Sequence, residues 1–73
     1  MTELVAEAQK LLPEGRRLYI VHQDDNPGVV LTDLFDQVVV IDRASWRVLD
    51  VSFREGLGDS GSPCEVGITV EPA

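Results

Sequence analysis

The sequence predicts a small α+β domain, in which one short N-terminal helix precedes an antiparallel sheet of three to five strands. Three observations support this prediction: apolar residues at helical spacing over residues 2–12, alternation over residues 17–22, and the apolar run at residues 38–41. The chain has 73 residues, which suffice for a single domain with one core. Apolar residues make up 44% of it, as in ordinary folded domains.

The helix is predicted over residues 2–12. Thr2 is a suitable N-cap, and Pro13 cannot continue the helix, so it marks the end. A helix of this length is marginal in isolation, and we therefore expect it to dock on the sheet or on a partner. The apolar stripe that would make this contact consists of Leu4, Ala8, Leu11 and Leu12.

The first predicted strand covers residues 17–22 and places Tyr19 and Val21 on one face. Residues 23–28 are rich in Asp, Asn, Pro and Gly, and they predict a loop. A short β run follows at residues 29–31. Residues 32–36 fit either one helical turn or a polar bulge that continues the strand.

The strongest strand signal is the run Val38-Val39-Val40-Ile41, because apolar residues at every position are typical of a central strand covered on both faces. We predict a tight connection at Ala44-Ser45 and a returning strand over residues 46–53. This strand would direct Leu49, Val51 and Phe53 to one face. The two strands form the predicted hairpin.

Glycine and proline are frequent in residues 54–64, which predicts a loop there. Residues 65–70 fit either a last strand or a loose tail, so a flexible tail over residues 54–73 remains one of two alternatives. No repeat and no second domain is indicated, and the chain is interpreted as a single domain over residues 1–73.

The charge balance is 13 acidic against 6 basic side chains, a net charge of −7. This sign disfavours direct binding to nucleic acid or to an anionic membrane, and it favours a basic protein surface as partner. The single cysteine, Cys64, cannot form an internal disulfide. No basic, apolar signal segment and no apolar run of about 20 residues is present, so we expect a cytoplasmic protein that is monomeric when free.

The sequence matches known catalytic and metal-binding motifs only weakly. Residues 58–63 resemble the nucleophile segment of trypsin-like serine proteases, with Ser60 at the nucleophile position, but Ser62 departs from that pattern and the chain is far too short. Residues 24–26 resemble the start of a calcium loop, yet Phe35 stands where a bidentate glutamate is needed. One histidine, His22, and one cysteine are too few for zinc. We therefore predict that the protein is not an enzyme and holds no cofactor or metal.

Binding features are more informative than catalytic ones. Arg16 and Arg17 form the one basic pair in an acidic chain, and arginine is enriched in interface hot spots. The single tryptophan, Trp46, is interpreted as a core residue in preference to an exposed anchor. The candidate partner contacts are Leu4, Arg16, Arg17, Asp24 and Asp25.

In its length, its acidity and its predicted mixed layout, the whole chain resembles the small host-takeover proteins of lytic bacteriophages, in particular the RNA-polymerase-binding transcription regulators of Xanthomonas phages. The resemblance implies a protein that binds bacterial RNA polymerase near the RNA exit channel, on the N-terminal part of the largest subunit and the β flap. It implies inhibition of σ-dependent initiation together with antitermination. The alternatives are other acidic binding modules, such as an antitoxin, an anti-CRISPR protein or a DNA mimic.

Overall fold

A computed structural model describes residues 2–53 and 65–73. Within these residues the single 3₁₀ turns lie at Pro13–Gly15, Gln23–Asp25 and Leu31–Asp33, and no α-helix occurs. The strands of this described part are β1 (Thr2–Leu4), β2 (Ala6–Leu11), β3 (Arg17–His22), β4 (Val38–Ile41), β5 (Ala44–Phe53) and β6 (Glu65–Pro72).

The six strands of the described chain form one mixed sheet in the order β1-β4-β5-β6-β3-β2. β1 runs parallel to β4, and the other neighbours are antiparallel. The two edge strands, β1 and β2, are consecutive in sequence and only Val5 separates them. The sheet must therefore curl until its two edges meet at Val5, and one short segment of chain supplies both edges.

The predicted N-terminal helix, and with it the α+β class, is wrong. Residues 2–11 are extended, and Leu4 is buried while Ala8 and Leu11 are exposed, so the predicted helical stripe does not share one environment. A lone helix of this length gains little stability, whereas the extended segment completes backbone pairing with both β3 and β4. Tertiary pairing thus overrides the local helix propensity.

The hairpin of β4 and β5 is confirmed, but its turn lies two residues before the predicted one. Asp42 and Arg43 occupy the turn, both with positive φ (51° and 69°), which is the geometry of a two-residue type I′ connection. The prediction that β4 is covered on both faces is wrong, because Val39 is buried while Val38 is 37% exposed. β4 lies next to the edge strand β1, where one face remains accessible.

β5 contains a register shift between Val48 and Asp50. The shift places Val48 in the core and leaves Leu49 only half-buried, so the predicted alternation fails at Leu49. Val51 packs against the core as predicted. An extra residue in the strand inverts the alternation on one side of it, which a pattern of period two cannot represent.

Of the other predicted elements, some are confirmed, one is wrong and one lies outside the described residues. The strand at Arg17–His22 is confirmed as β3, and of the two alternatives for residues 65–70 the strand is right: β6 lies between β5 and β3 in the sheet. The predicted strand at residues 29–31 is wrong, because a 3₁₀ turn begins at Leu31. The predicted loop over residues 54–64, with Ser60 and Cys64, lies outside the described residues.

The core fills the concave side of the curled sheet. β3 and β6 contribute the most deeply buried apolar side chains, and the segment between β3 and β4 adds two leucines that cover the open side. The buried cluster consists of Leu4, Tyr19, Val21, Leu31, Leu34, Val39, Ile41, Trp46, Val48, Val66, Ile68 and Val70.

Candidate functional site

Residues 23–37 connect β3 to β4 and form the most acidic segment of the chain, here called the acidic loop. It contains four aspartates and no basic residue, so it holds −4 of the net charge of −7. Leu31 and Leu34 are buried at 2% and 3% exposure and fix the loop to the core. The loop is thus attached to the fold by apolar contacts while its charges face solvent.

Asn26 attaches the beginning of the loop to the N-terminal segment. It is the one buried polar side chain of the described residues, with 4% exposure. The Val5 N–H donates to Asn26 Oδ1 over 2.7 Å, and Asn26 Nδ2 donates to the carbonyl oxygens of Val5 (2.9 Å) and His22 (2.8 Å). The amide therefore pairs with the backbone of Val5 as another strand would, at the point where the chain passes from one sheet edge to the other.

Gln23 reinforces the same turn. Its Nε2 donates to the carbonyl oxygens of Asn26 (3.0 Å) and Val29 (2.9 Å). Because Asn26 Oδ1 already accepts the Val5 N–H, it faces the protein and not a solvent cavity. This orientation removes a ligand from the calcium loop weighed at residues 24–26, and among the described residues no group of three His, Cys, Asp or Glu is arranged to hold a metal ion.

The exposed side of the loop combines carboxylates with apolar side chains. Asp24, Asp25 and Asp33 are exposed and form no ion pair with any described residue. Val30 and Phe35 are 57% and 61% exposed. An aromatic side chain this exposed beside unpaired carboxylates offers both contact area and charge to a partner.

Asp36 differs from the other three aspartates. Its Oδ1 lies 3.2 Å from both Nε and Nη2 of Arg47 on β5. Both side chains of this pair are more than half exposed, so it contributes little to stability. The pair nevertheless links the end of the loop to the sheet.

An open groove of about 310 Å³ lies where the loop meets the start of β1. Val29 and Leu34 give it apolar walls, whereas Asp33 gives it a carboxylate. Among the described residues that line it, there is no lysine, arginine or histidine. The lining residues are Thr2, Gly28, Val29, Val30, Asp33, Leu34 and Gln37.

The structure separates the predicted partner contacts. Asp24 and Asp25 lie on the exposed side of the acidic loop, but Leu4 is buried at 4% exposure and is a core residue. Arg16 and Arg17 precede or begin β3, whereas the loop follows its end. A strand of six residues spans about 20 Å, so the arginines and the loop lie at opposite ends of β3.

The two arginines also have different surroundings. Arg16 is exposed and its Nη2 lies 3.6 Å from Glu14 Oε2. Arg17 is half-buried: its guanidinium lies 4.8 Å from the centre of the Trp46 ring, and its Nη1 donates to the Tyr19 hydroxyl over 3.2 Å. These contacts give Arg17 a structural role in covering the core.

Trp46 is a core residue, as the sequence predicts, with 7% exposure. Its ring packs edge-on against Tyr19 at 6.0 Å between centroids. The indole N–H is buried and has no hydrogen-bond acceptor among the described residues. The Arg17 guanidinium covers the Trp46 ring of this aromatic pair.

His22 lies at the end of β3 between two carboxylates. Its Nδ1 is 3.2 Å from Glu65 Oε2 and its Nε2 is 4.0 Å from Glu7 Oε2. The arrangement joins three neighbouring strands, β2, β3 and β6. It explains His22 as a cross-strand contact on the sheet surface.

The sequence interpretation missed Val30, Phe35 and the groove. Val30 was assigned to a strand, and Phe35 was considered only as a departure from a calcium loop. The groove requires Thr2, which is distant in sequence and was placed in a helix. One sequence feature could have indicated an exposed apolar side chain: Phe35 stands next to Asp36 in a segment without strand alternation.

No protein-family model, curated protein or solved structure matches the chain. Within residues 2–53 and 65–73, no helix has the length and apolar character needed to cross a membrane.

Proposed function

We propose that the protein is a binding domain that docks on a cationic protein surface through the acidic loop. The supporting observation is the exposure of Phe35 and Val30 in a segment that has four aspartates, no cation and an anchored backbone. Aromatic and apolar side chains at the centre of an interface supply most of the binding free energy, and surrounding charges supply orientation and rate.

The charges of the acidic loop indicate that the partner surface is positively charged. Asp24, Asp25 and Asp33 make no ion pair with a described residue, so a cation of the partner does not compete with an internal arginine for them. Concentrating −4 on residues 23–37 orients the field of the whole domain toward this loop. Nucleic acid, being anionic, is disfavoured as a direct partner of this surface.

For the partner itself we propose bacterial RNA polymerase. The support is the resemblance in length and net charge to phage host-takeover regulators, and the basic character of protein surfaces around nucleic-acid channels. The all-β fold removes the third likeness, the mixed α/β layout. In this proposal the domain docks near the RNA exit channel, inhibits σ-dependent initiation, promotes antitermination and acts in the bacterial cytoplasm.

The test is a titration of the protein into promoter-dependent transcription by Xanthomonas RNA polymerase on a template with a downstream terminator, together with a direct binding assay on the holoenzyme. We expect loss of initiation, increased read-through and a saturable complex. Raising the ionic strength should weaken the complex, because exposed charges are screened.

The matched variants are two triple substitutions. Asp24→Asn, Asp25→Asn and Asp33→Asn remove three negative charges from the loop, and Glu3→Gln, Glu14→Gln and Asp50→Asn remove three exposed charges elsewhere. Both change the net charge from −7 to −4. Only the loop variant should lose binding; equal loss in both would refute docking through the loop, and no binding by the unaltered protein would refute polymerase as the partner.

A further inference from the structure

The groove at the acidic loop is lined by both apolar and polar side chains. Val29, Val30 and Leu34 provide apolar contact, and Asp33 provides a carboxylate. Leu34 is buried at 3% exposure, so this wall is part of the core and is fixed in place. Gln37 and Thr2 complete the lining with an amide and a hydroxyl, both of which can accept a hydrogen bond.

We propose that this groove accepts a single arginine side chain from the partner. Arginine has an apolar stem and a cationic head with five N–H donors, and it packs its stem on apolar surface while its head bonds to oxygen atoms. The stem would lie on Val29 and Val30, and the guanidinium would face Asp33. The inference rests on the proposed function, since it specifies what the partner inserts next to the acidic loop.

Charge complementarity favours a cationic occupant over an apolar or an anionic one. Within residues 2–53 and 65–73, the groove is lined by the Asp33 carboxylate and by no basic side chain, and Asp33 has no ion partner there. An apolar occupant would bury that carboxylate without a partner, which is costly. An anion would meet a domain whose net charge is −7. A volume of about 310 Å³ is at the lower end for ligand pockets and suits one side chain.

The test uses a small probe and does not require the partner. Acetyl-Gly-Arg-Gly-amide is titrated into the ¹⁵N-labelled protein and followed by amide chemical shifts, with the citrulline peptide, which has the same shape but no charge, as the comparison. We expect saturable shifts confined to residues 2, 28–30, 33, 34 and 37, with a dissociation constant on the order of millimolar for so small an interface. The citrulline peptide should bind several-fold more weakly.

Two variants of the loop separate the groove from general acidity. Asp33→Asn and Asp25→Asn remove the same charge from exposed positions of the same loop, but only Asp33 lines the groove. Asp33→Asn should weaken arginine binding about three- to five-fold, as expected for an exposed ion pair, and Asp25→Asn should change it less than about two-fold. Val30→Ser should also weaken binding, because it removes apolar contact with the stem.

The outcomes distinguish this inference from the proposed function. Absence of saturable shifts, equal binding of the citrulline peptide, or equal effects of Asp33→Asn and Asp25→Asn would each overturn the arginine groove. If the loop triple variant loses the complex with polymerase, the proposed function would still hold without the arginine groove. Arginine binding in the groove without any polymerase complex would retain the groove and refute the polymerase.

Discussion

Replacing Asn26 with leucine tests how much one amide, which joins Val5 between the two edge strands to the end of β3, contributes to stability. The side chain makes three hydrogen bonds, to the N–H and C=O of Val5 and to the C=O of His22, at 2.7–2.9 Å. Each is worth about 1 kcal/mol net, so their loss costs about 3 kcal/mol. A domain of this size has a free energy of unfolding of roughly 4–11 kcal/mol, and a loss of this size is a large part of it.

The assay is urea denaturation followed by the fluorescence of the single tryptophan, which is buried in the folded protein. Asp25→Leu is the matched control, because the neighbouring side chain is exposed and makes no side-chain contact of this kind; it should change stability by less than about 0.5 kcal/mol. Asn26→Asp should be at least as damaging as leucine, since it places a carboxylate against two carbonyl oxygens. A leucine variant that loses less than about 1 kcal/mol would refute the reasoning.

Three further predictions concern stability and use the same assay. Gly67→Ala in β6 should be neutral or stabilise by about 0.5–1 kcal/mol, because an added Cβ meets its nearest atoms at 3.7 Å; a loss above about 1 kcal/mol would contradict this. Arg43→Gly, combined with Asp42→Asn, should stabilise by about 1 kcal/mol, since both positions have positive φ; unchanged stability would mean that the turn is not strained. Arg17→Met should cost about 1 kcal/mol and alter the emission of Trp46, as it removes the cation over the ring; an unchanged spectrum would count against that contact.

The elements predicted correctly are those whose signal is local. β3 is a mostly apolar segment bounded by glycine and by a polar loop, and the β4–β5 hairpin joins two apolar segments that are neighbours in sequence. β1 has no such signal, because its partner is distant: Thr2 pairs with Val39. β2 pairs with the next strand, with Leu11 opposite Arg17, but its residues carry no strand pattern of their own. A segment rich in Glu, Ala, Gln, Lys and Leu favours a helix locally, and only the need to complete two sheet edges makes it extended.

The sequence predicts the charged residues of the candidate site but not which of its apolar side chains are exposed. Asp24 and Asp25 follow from the turn composition that places a loop there, and both are exposed on it. Phe35 could not be assigned to the surface, because nothing in the sequence distinguishes it from Leu34, which is buried. The difference arises from the 3₁₀ turn at residues 31–33, which directs Leu31 and Leu34 inward together.

The position of Asn26 links the stability of the fold to the proposed binding. Its amide holds Val5, between the two edge strands, and at the same time fixes the first turn of the acidic loop through His22. A surface held in place before binding loses less conformational entropy when a partner docks, so this clamp should contribute to affinity without touching the partner. Asn26→Leu should therefore weaken binding at temperatures where the variant is still folded, whereas a variant equally destabilised at a core position outside the loop, such as Ile68→Ala, should bind normally. Equal affinity of the Asn26 variant and the unaltered protein would show that the loop does not depend on the clamp, and the exposed apolar side chains would then have to order themselves on contact.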